Sequence, residues 1–138
     1  MEIYKHKIQY YETDKMGVTH HSNYIRWMEE ARVDFMEKIG WSYEKLEESG
    51  IISPVTGIEC KYVAGTTFAQ TISVETSIEE LKNVKIRINY VMKDESGKIV
   101  CKGASEHCFL DSAGSFISIS KKFPAFYEAL ENTVKENV

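Results

Sequence analysis

The stretch Ser22-Asn23-Tyr24-Ile25-Arg26-Trp27-Met28-Glu29-Glu30-Ala31-Arg32-Val33-Asp34-Phe35-Met36-Glu37-Lys38-Ile39 decides the fold. Tyr24, Trp27, Met28, Ala31, Phe35 and Ile39 recur at helical spacing, so the segment reads as a long helix with a buried face. Ser22 is the expected N-cap and Gly40 the stop. Ile25, Val33 and Met36 widen the apolar face beyond a narrow stripe. The helix is therefore expected at the centre of the fold, packed on more than one side.

On either side of it the period changes to two. Tyr4, His6, Ile8 and Tyr10 alternate with polar residues and predict a first strand ending near Tyr11. Downstream, Ser42 to Glu48 reads as a short helical turn, broken by Ser49-Gly50. Ile72, Val74, Thr76 and Ile78 alternate in one strand, and Val84, Ile86, Ile88, Tyr90 and Met92 in the next, with Lys82-Asn83 turning between them. Asp94-Glu95-Ser96-Gly97 makes the following turn, a strand runs from about Lys98 to Leu110, and Asp111-Ser112-Ala113-Gly114 leads into a last short strand. Turns this tight imply an antiparallel meander. Pro124 opens a C-terminal helix carrying Phe126, Tyr127, Leu130 and Val134. The sum is an α+β domain in which an antiparallel sheet wraps a long central helix.

With 138 residues the chain suits one domain, 1–138, and one core. Hydrophobic residues at 43% and charged residues at 28% exclude disordered and low-complexity classes. A net charge of −4 argues against nucleic acid or an anionic membrane as partner. The opening residues lack the apolar run of a secretory signal, and no later stretch approaches a membrane span, so a soluble cytoplasmic protein is expected. Cys60, Cys101 and Cys108 cannot all pair within one chain and fall in apparent strands, so they read as reduced core residues. His20 and His21 are adjacent, which points their side chains apart, and no further His or Cys cluster completes a metal site with Asp14. His6 and His107 read as satisfied structural residues on strand faces.

The chemistry lies in the segment from Tyr10 to Tyr24, which joins the first strand to the helix. Asp14 precedes His21, at the helix start, by seven positions. The unpaired N–H groups and dipole of a helix start favour negative charge developing on a carbonyl under attack. A loop of that length can fold back to bring the carboxylate near the same carbonyl, with Gly17 permitting the turn. The combination suits acyl transfer or hydrolysis.

Asp14-Lys15-Met16-Gly17-Val18, followed by His21-Ser22-Asn23-Tyr24-Ile25-Arg26-Trp27 and Glu29-Glu30-Ala31-Arg32, resembles the signature of the hotdog-fold acyl-CoA thioesterases of the 4-hydroxybenzoyl-CoA thioesterase type. The likeness extends loosely through Glu59-Cys60-Lys61-Tyr62, Ser73-Val74-Glu75-Thr76 and Gly103-Ala104-Ser105-Glu106-His107. It implies a hotdog fold and hydrolysis of an acyl thioester to acid and thiol, with no cofactor or metal. The resemblance makes Asp14 the general base or nucleophile. It gives the His21 backbone N–H the task of polarising the carbonyl. Tyr10, Gly17, Val18 and Asn23 then line or brace the same loop. It also implies subunits paired edge to edge as a homodimer or homotetramer, with the site at the junction.

Between Leu81 and Lys102 six basic residues face two acidic ones, and the resemblance makes Lys82 and Lys85 candidates for the phosphates of coenzyme A. Thr66-Thr67-Phe68-Ala69-Gln70 departs from the family pattern, where many relatives carry an acidic residue, and this bears on acyl-chain specificity. Two alternatives share the fold. A hydratase or dehydratase calls for a His and acid pair on the helix, and a non-catalytic acyl-CoA-binding domain keeps only the pocket.

Overall fold

The computed structural model describes residues 2–136, so the extreme ends of the 1–138 span lie outside the described residues. Five strands, Tyr4–Lys7 (β1), Val55–Tyr62 (β2), Thr71–Leu81 (β3), Lys85–Lys93 (β4) and Ile99–Cys108 (β5), form one sheet in the order β1-β3-β4-β5-β2. Every neighbouring pair is antiparallel. The helices are Ser22–Lys38 (α1), Tyr43–Glu48 (α2), Ile119–Lys122 (α3) and Pro124–Glu136 (α4).

The expected meander is β3-β4-β5, and its alternation is that of burial: Ile72, Val74 and Ile78 from β3 and Ile86, Ile88, Tyr90 and Met92 from β4 enter the core. They meet Tyr24, Trp27, Met28, Ala31 and Phe35 of α1, while Phe126 and Leu130 of α4 close one end. The helix lies close to the sheet because β5 carries Gly103, where a Cβ would stand only 2.7 Å from the Met28 sulfur.

Three boundaries differ from the expectation. The first strand stops at Lys7, and Tyr10–Glu12 form a 3₁₀ turn, because the Glu12 carboxylate draws the Gln9 N–H back at 2.8 Å. His21, not Ser22, is the N-cap, and it makes no side-chain cap; the Ser22 hydroxyl pairs with His20 Nδ1 at 2.8 Å instead. The third meander strand ends at Cys108, and beyond it Leu110 and Phe116 meet in a single bridge rather than a strand. The Asp111 side chain makes that turn by accepting from the Ala113 and Ser115 N–H groups.

A fourth difference matters more. Only one side of α1 is packed within the chain. Met36 is buried, but Ile25 remains 39% and Val33 36% exposed, and Val33 borders an open hollow of about 500 Å³ with Arg26, Glu29 and Glu30. Ile25 and Val33 are apolar as expected, yet among the described residues no element of the same chain covers this outer half, whose hollow is lined mostly by charged side chains.

Beneath the inner half, Arg32 is buried with no carboxylate partner among the described residues. Its Nε donates to the Tyr43 hydroxyl at 2.6 Å, and its NH1 lies 3.3 Å from His107 Nε2, which also meets the Ser105 hydroxyl at 2.7 Å. Burial, then the neighbouring guanidinium, push the His107 imidazole down to about 4. An unfolded chain binds a proton there near ~6.5, so protonation favours unfolding between these values. Stability is expected to be full above about pH 6.5 and to fall by up to about 3 kcal/mol as pH drops toward 4. Urea melts of wild type and His107→Gln across that range check it; identical pH slopes would contradict it.

Candidate active site

Glu12 anchors the segment that leads into α1. Its carboxylate accepts the Trp27 indole N–H at 2.7 Å and meets His6 Nε2 at 2.7 Å, in addition to the Gln9 N–H. Burial raises the Glu12 carboxyl, but these hydrogen bonds outweigh it and hold the group below the ordinary carboxylate range. The Glu12 carbonyl accepts from the His20 N–H and from the Asn23 amide, both at 2.9 Å. His6 is thus satisfied as expected, and Asn23 braces the loop from inside.

Asp14 begins the turn that follows. Its Oδ1 accepts from the Met16 N–H at 2.8 Å and the Val18 N–H at 3.3 Å, and Gly17, at φ 78°, closes the turn onto the Asp14 carbonyl at 2.9 Å. One carboxylate oxygen therefore shapes the loop. The other, Oδ2, takes no hydrogen bond among the described residues, and the residue is exposed.

A chain of hydroxyls fastens this loop to the segment after β2. Thr66 is fully buried, its hydroxyl meeting Tyr24 at 2.9 Å and Thr19 at 2.7 Å, while the Thr19 N–H donates to the Thr66 carbonyl at 2.9 Å. Val18 and Thr67 form a bridge beside them. Between the loop, the start of α1 and the end of β2 opens a cleft of about 260 Å³, lined by Val18, Thr19, His21, Tyr24 and the stretch Tyr62 to Gly65. The Tyr62 hydroxyl donates to the His21 carbonyl at 3.2 Å, and its ring stands edge-on to Tyr24, 5.3 Å between centroids. The His21 peptide N–H has no acceptor among the described residues. A free N–H at a helix start beside a cleft is an electrophilic site for a carbonyl oxygen.

The structure brings Val18 and His21 to the cleft wall, with Asp14 and Gly17 in the loop that leads to Val18 and Asn23 in the first turn of α1. Tyr10 lies outside, 77% exposed, with its ring edge-on to Phe68 at 5.7 Å. Lys82 and Lys85 are not at this cleft. They flank the β3–β4 turn, where Lys85 pairs with Cys108, whereas Tyr62 pairs with Cys101 at the other end of β5. The basic run is neutralised in part: Arg87 meets Glu79, Glu59 and Glu106 within 2.8 Å, Lys82 meets Glu80 at 2.7 Å and Lys93 meets Glu75 at 3.1 Å.

Sequence reasoning missed Tyr62 and Thr66 as site residues. Tyr62 was visible only inside a loosely matching motif, and Thr66 only as part of a departure from a family pattern. No helix among the described residues is long and apolar enough to cross a membrane.

A family model described as the thioesterase-like superfamily matches residues 8–133. A Bacillus subtilis protein, named provisionally as an acyl-CoA thioesterase, is 33% identical over 131 residues, covering 94% of each chain. The solved structure of a DHNA-CoA thioesterase from Staphylococcus aureus superposes with a TM-score of 0.91 at 32% identity, over 98% of this chain and 91% of that one. A 1,4-dihydroxy-2-naphthoyl-CoA hydrolase of Prochlorococcus marinus is 24% identical over 116 residues, 79% of this chain and 76% of its own. With the sheet order, the helix lying across it and the loop before that helix all in place, the chain belongs to the thioesterase-like superfamily and is a hotdog-fold thioesterase.

Proposed function

We propose that this thioesterase hydrolyses an acyl-CoA at the cleft between the Asp14 loop and the start of α1, with Asp14 as general base or nucleophile and the His21 peptide N–H as the donor to the carbonyl oxygen. The observation that carries the reading is the pairing of a carboxylate whose Oδ2 is free with a helix-start N–H that has no acceptor, on segments tied together through Glu12 and Thr66. As the nucleophilic oxygen adds to the carbonyl carbon, negative charge builds on the carbonyl oxygen, and the N–H stabilises it. Asp14 takes the proton of an attacking water, or itself forms an anhydride that water then opens; in both routes the C–S bond breaks and the thiol leaves. Neither route calls for a metal or a cofactor.

Tyr24, Tyr62 and His21 give the cleft an aromatic wall, which favours an aryl over a straight-chain acyl group. That preference accords with the aromatic acyl groups in the names of the Staphylococcus and Prochlorococcus relatives.

A second copy of the chain fits the open side. β2 is an edge strand with Val55, Ile58 and Tyr62 all at least 40% exposed. Antiparallel pairing of two β2 strands sets the Val55 end of one against the Tyr62 end of the other. In that homodimer, or a homotetramer built from it, Lys82 and Lys85 of the second copy come from the end of the sheet that approaches this cleft, a source of positive charge for the coenzyme A phosphates. Three free thiols fit a reducing cytoplasm.

The test is thiol release from a panel of aryl, short-chain and long-chain acyl-CoAs, with sedimentation velocity on the same preparation. Turnover that is fastest with aryl substrates, in a dimer or tetramer, is the expected result. Tight acyl-CoA binding without turnover would favour a non-catalytic binding domain, and a fully active monomer would overturn the role of the second copy.

A further inference from the structure

Cys60 on β2 and Cys101 on β5 meet beneath the cleft. The register sets Cys60 opposite Gly103 and Tyr62 opposite Cys101, which makes the two cysteines diagonal neighbours on the helix-facing side of the sheet. Their sulfur atoms lie 3.5 Å apart, in contact but unbonded. Their exposures differ. Cys101 is fully buried, whereas Cys60, on the edge strand, is only half-buried. Cys108, the third thiol, is at the far end of β5.

We propose that Cys60 is a peroxide-reactive thiol and Cys101 its resolving partner, the pair closing reversibly to a disulfide under the wall of the cleft. The Cys60 thiolate attacks one peroxide oxygen, the O–O bond breaks, and the departing hydroxide leaves as water after protonation. Cys101, giving up its proton, then attacks the Cys60 sulfenic sulfur and expels a second hydroxide, which leaves as water. Two thiols are oxidised and one peroxide is reduced. A dithiol reductant reverses the bond.

The contact also sets the order of attack. The contact with Cys101 lowers the Cys60 thiol below its ordinary value, and that same contact with burial raises Cys101. The nucleophile is therefore the more exposed member. Peroxide reaches its partly exposed sulfur beside Tyr24 and Tyr62, which neighbour both thiols. Pairing of β2 with a second copy uses the strand's backbone edge and leaves the Cys60 side chain on this inner face. A bond between the two strands pulls on Tyr62, two residues from Cys60, and so on the hydrogen bond to the His21 carbonyl.

Intact-protein mass spectrometry of the full chain, treated with hydrogen peroxide near stoichiometry and then with dithiothreitol, tests the assignment. The expected result is a loss of about 2 Da, two of the three thiols protected from alkylation, and full reversal. Cys108→Ser behaves like wild type. Cys101→Ser stops at a sulfenic acid that dimedone captures on Cys60, and Cys60→Ser shows neither product. Oxidation that leaves Cys60 unmodified, or a mass loss that survives Cys60→Ser, overturns the proposal. The effect on the cleft rests on the thioesterase reading, whereas the mass readout needs no substrate, so the two fail separately. Turnover of the oxidised protein is expected to fall several-fold and to return on reduction; unchanged turnover would overturn the link through Tyr62.

Discussion

Asp14→Asn is expected to lower kcat by about 10²–10⁴-fold while moving KM little, the loss that follows removal of a positioned base or nucleophile. The substitution is unusually clean. An asparagine keeps the side-chain oxygen that accepts from the Met16 and Val18 N–H groups, so the turn closed by Gly17 persists. What disappears is the negative charge and the basicity of the second oxygen, which has no structural partner. An unchanged melting temperature with turnover near the wild-type rate would remove Asp14 from the chemistry. A large loss of both would mean that the charge was holding the loop.

Glu12→Ala is expected to produce the largest loss of stability, about 3 kcal/mol, because one buried carboxylate satisfies the Gln9 N–H, the Trp27 indole N–H and His6 at once. Trp27 is fully buried, so its N–H finds no water in exchange. For a chain of this length the melting temperature should drop on the order of 10 °C. Glu12→Gln, which retains an acceptor for the indole, should lose clearly less. Calorimetric melts of the three proteins check the order, and an alanine variant as stable as wild type would show that the cluster is not what holds the loop. Activity should suffer in parallel, since the Glu12 carbonyl fixes His20 and Asn23 at the helix entry.

The sequence revealed those parts of the fold that repeat on the scale of a single element. The period of α1 and the alternation of β3 and β4 come from each segment's own exposure to core and solvent, and both survive in the structure. The end of β1 did not, because Tyr10 continues an alternating pattern while the backbone has already turned to serve Glu12. The basic run after Leu81 was misleading for a related reason. Charge counted along the chain omits Glu59, Glu79 and Glu106, which β-pairing brings around Arg87 from outside the interval or across it. The outer face of α1 was read correctly as apolar and wrongly as covered, since periodicity reports that a face seeks burial, not which chain supplies it.

The candidate site divides along the same line. Asp14, Gly17 and His21 belong to one continuous loop, and their spacing alone suggests a carboxylate folded toward a helix start. Thr66 and Tyr62 come from more than forty residues away, through Thr19, Tyr24 and His21. Nothing local marks a threonine that is buried because two other hydroxyls need it.

The proposed mechanism divides the labour: the carboxylate of Asp14 does the chemistry and the peptide N–H of His21, not its imidazole, holds the carbonyl. The most direct measurement is kcat of His21→Ala beside that of Asp14→Asn on the best substrate, with the pH profile of each active protein. Removing the imidazole leaves the helix-start N–H in place, so His21→Ala should keep measurable turnover and lose less than Asp14→Asn. Equal or greater damage from His21→Ala, in protein shown to be folded and correctly assembled, would contradict the account and make the side chain the base.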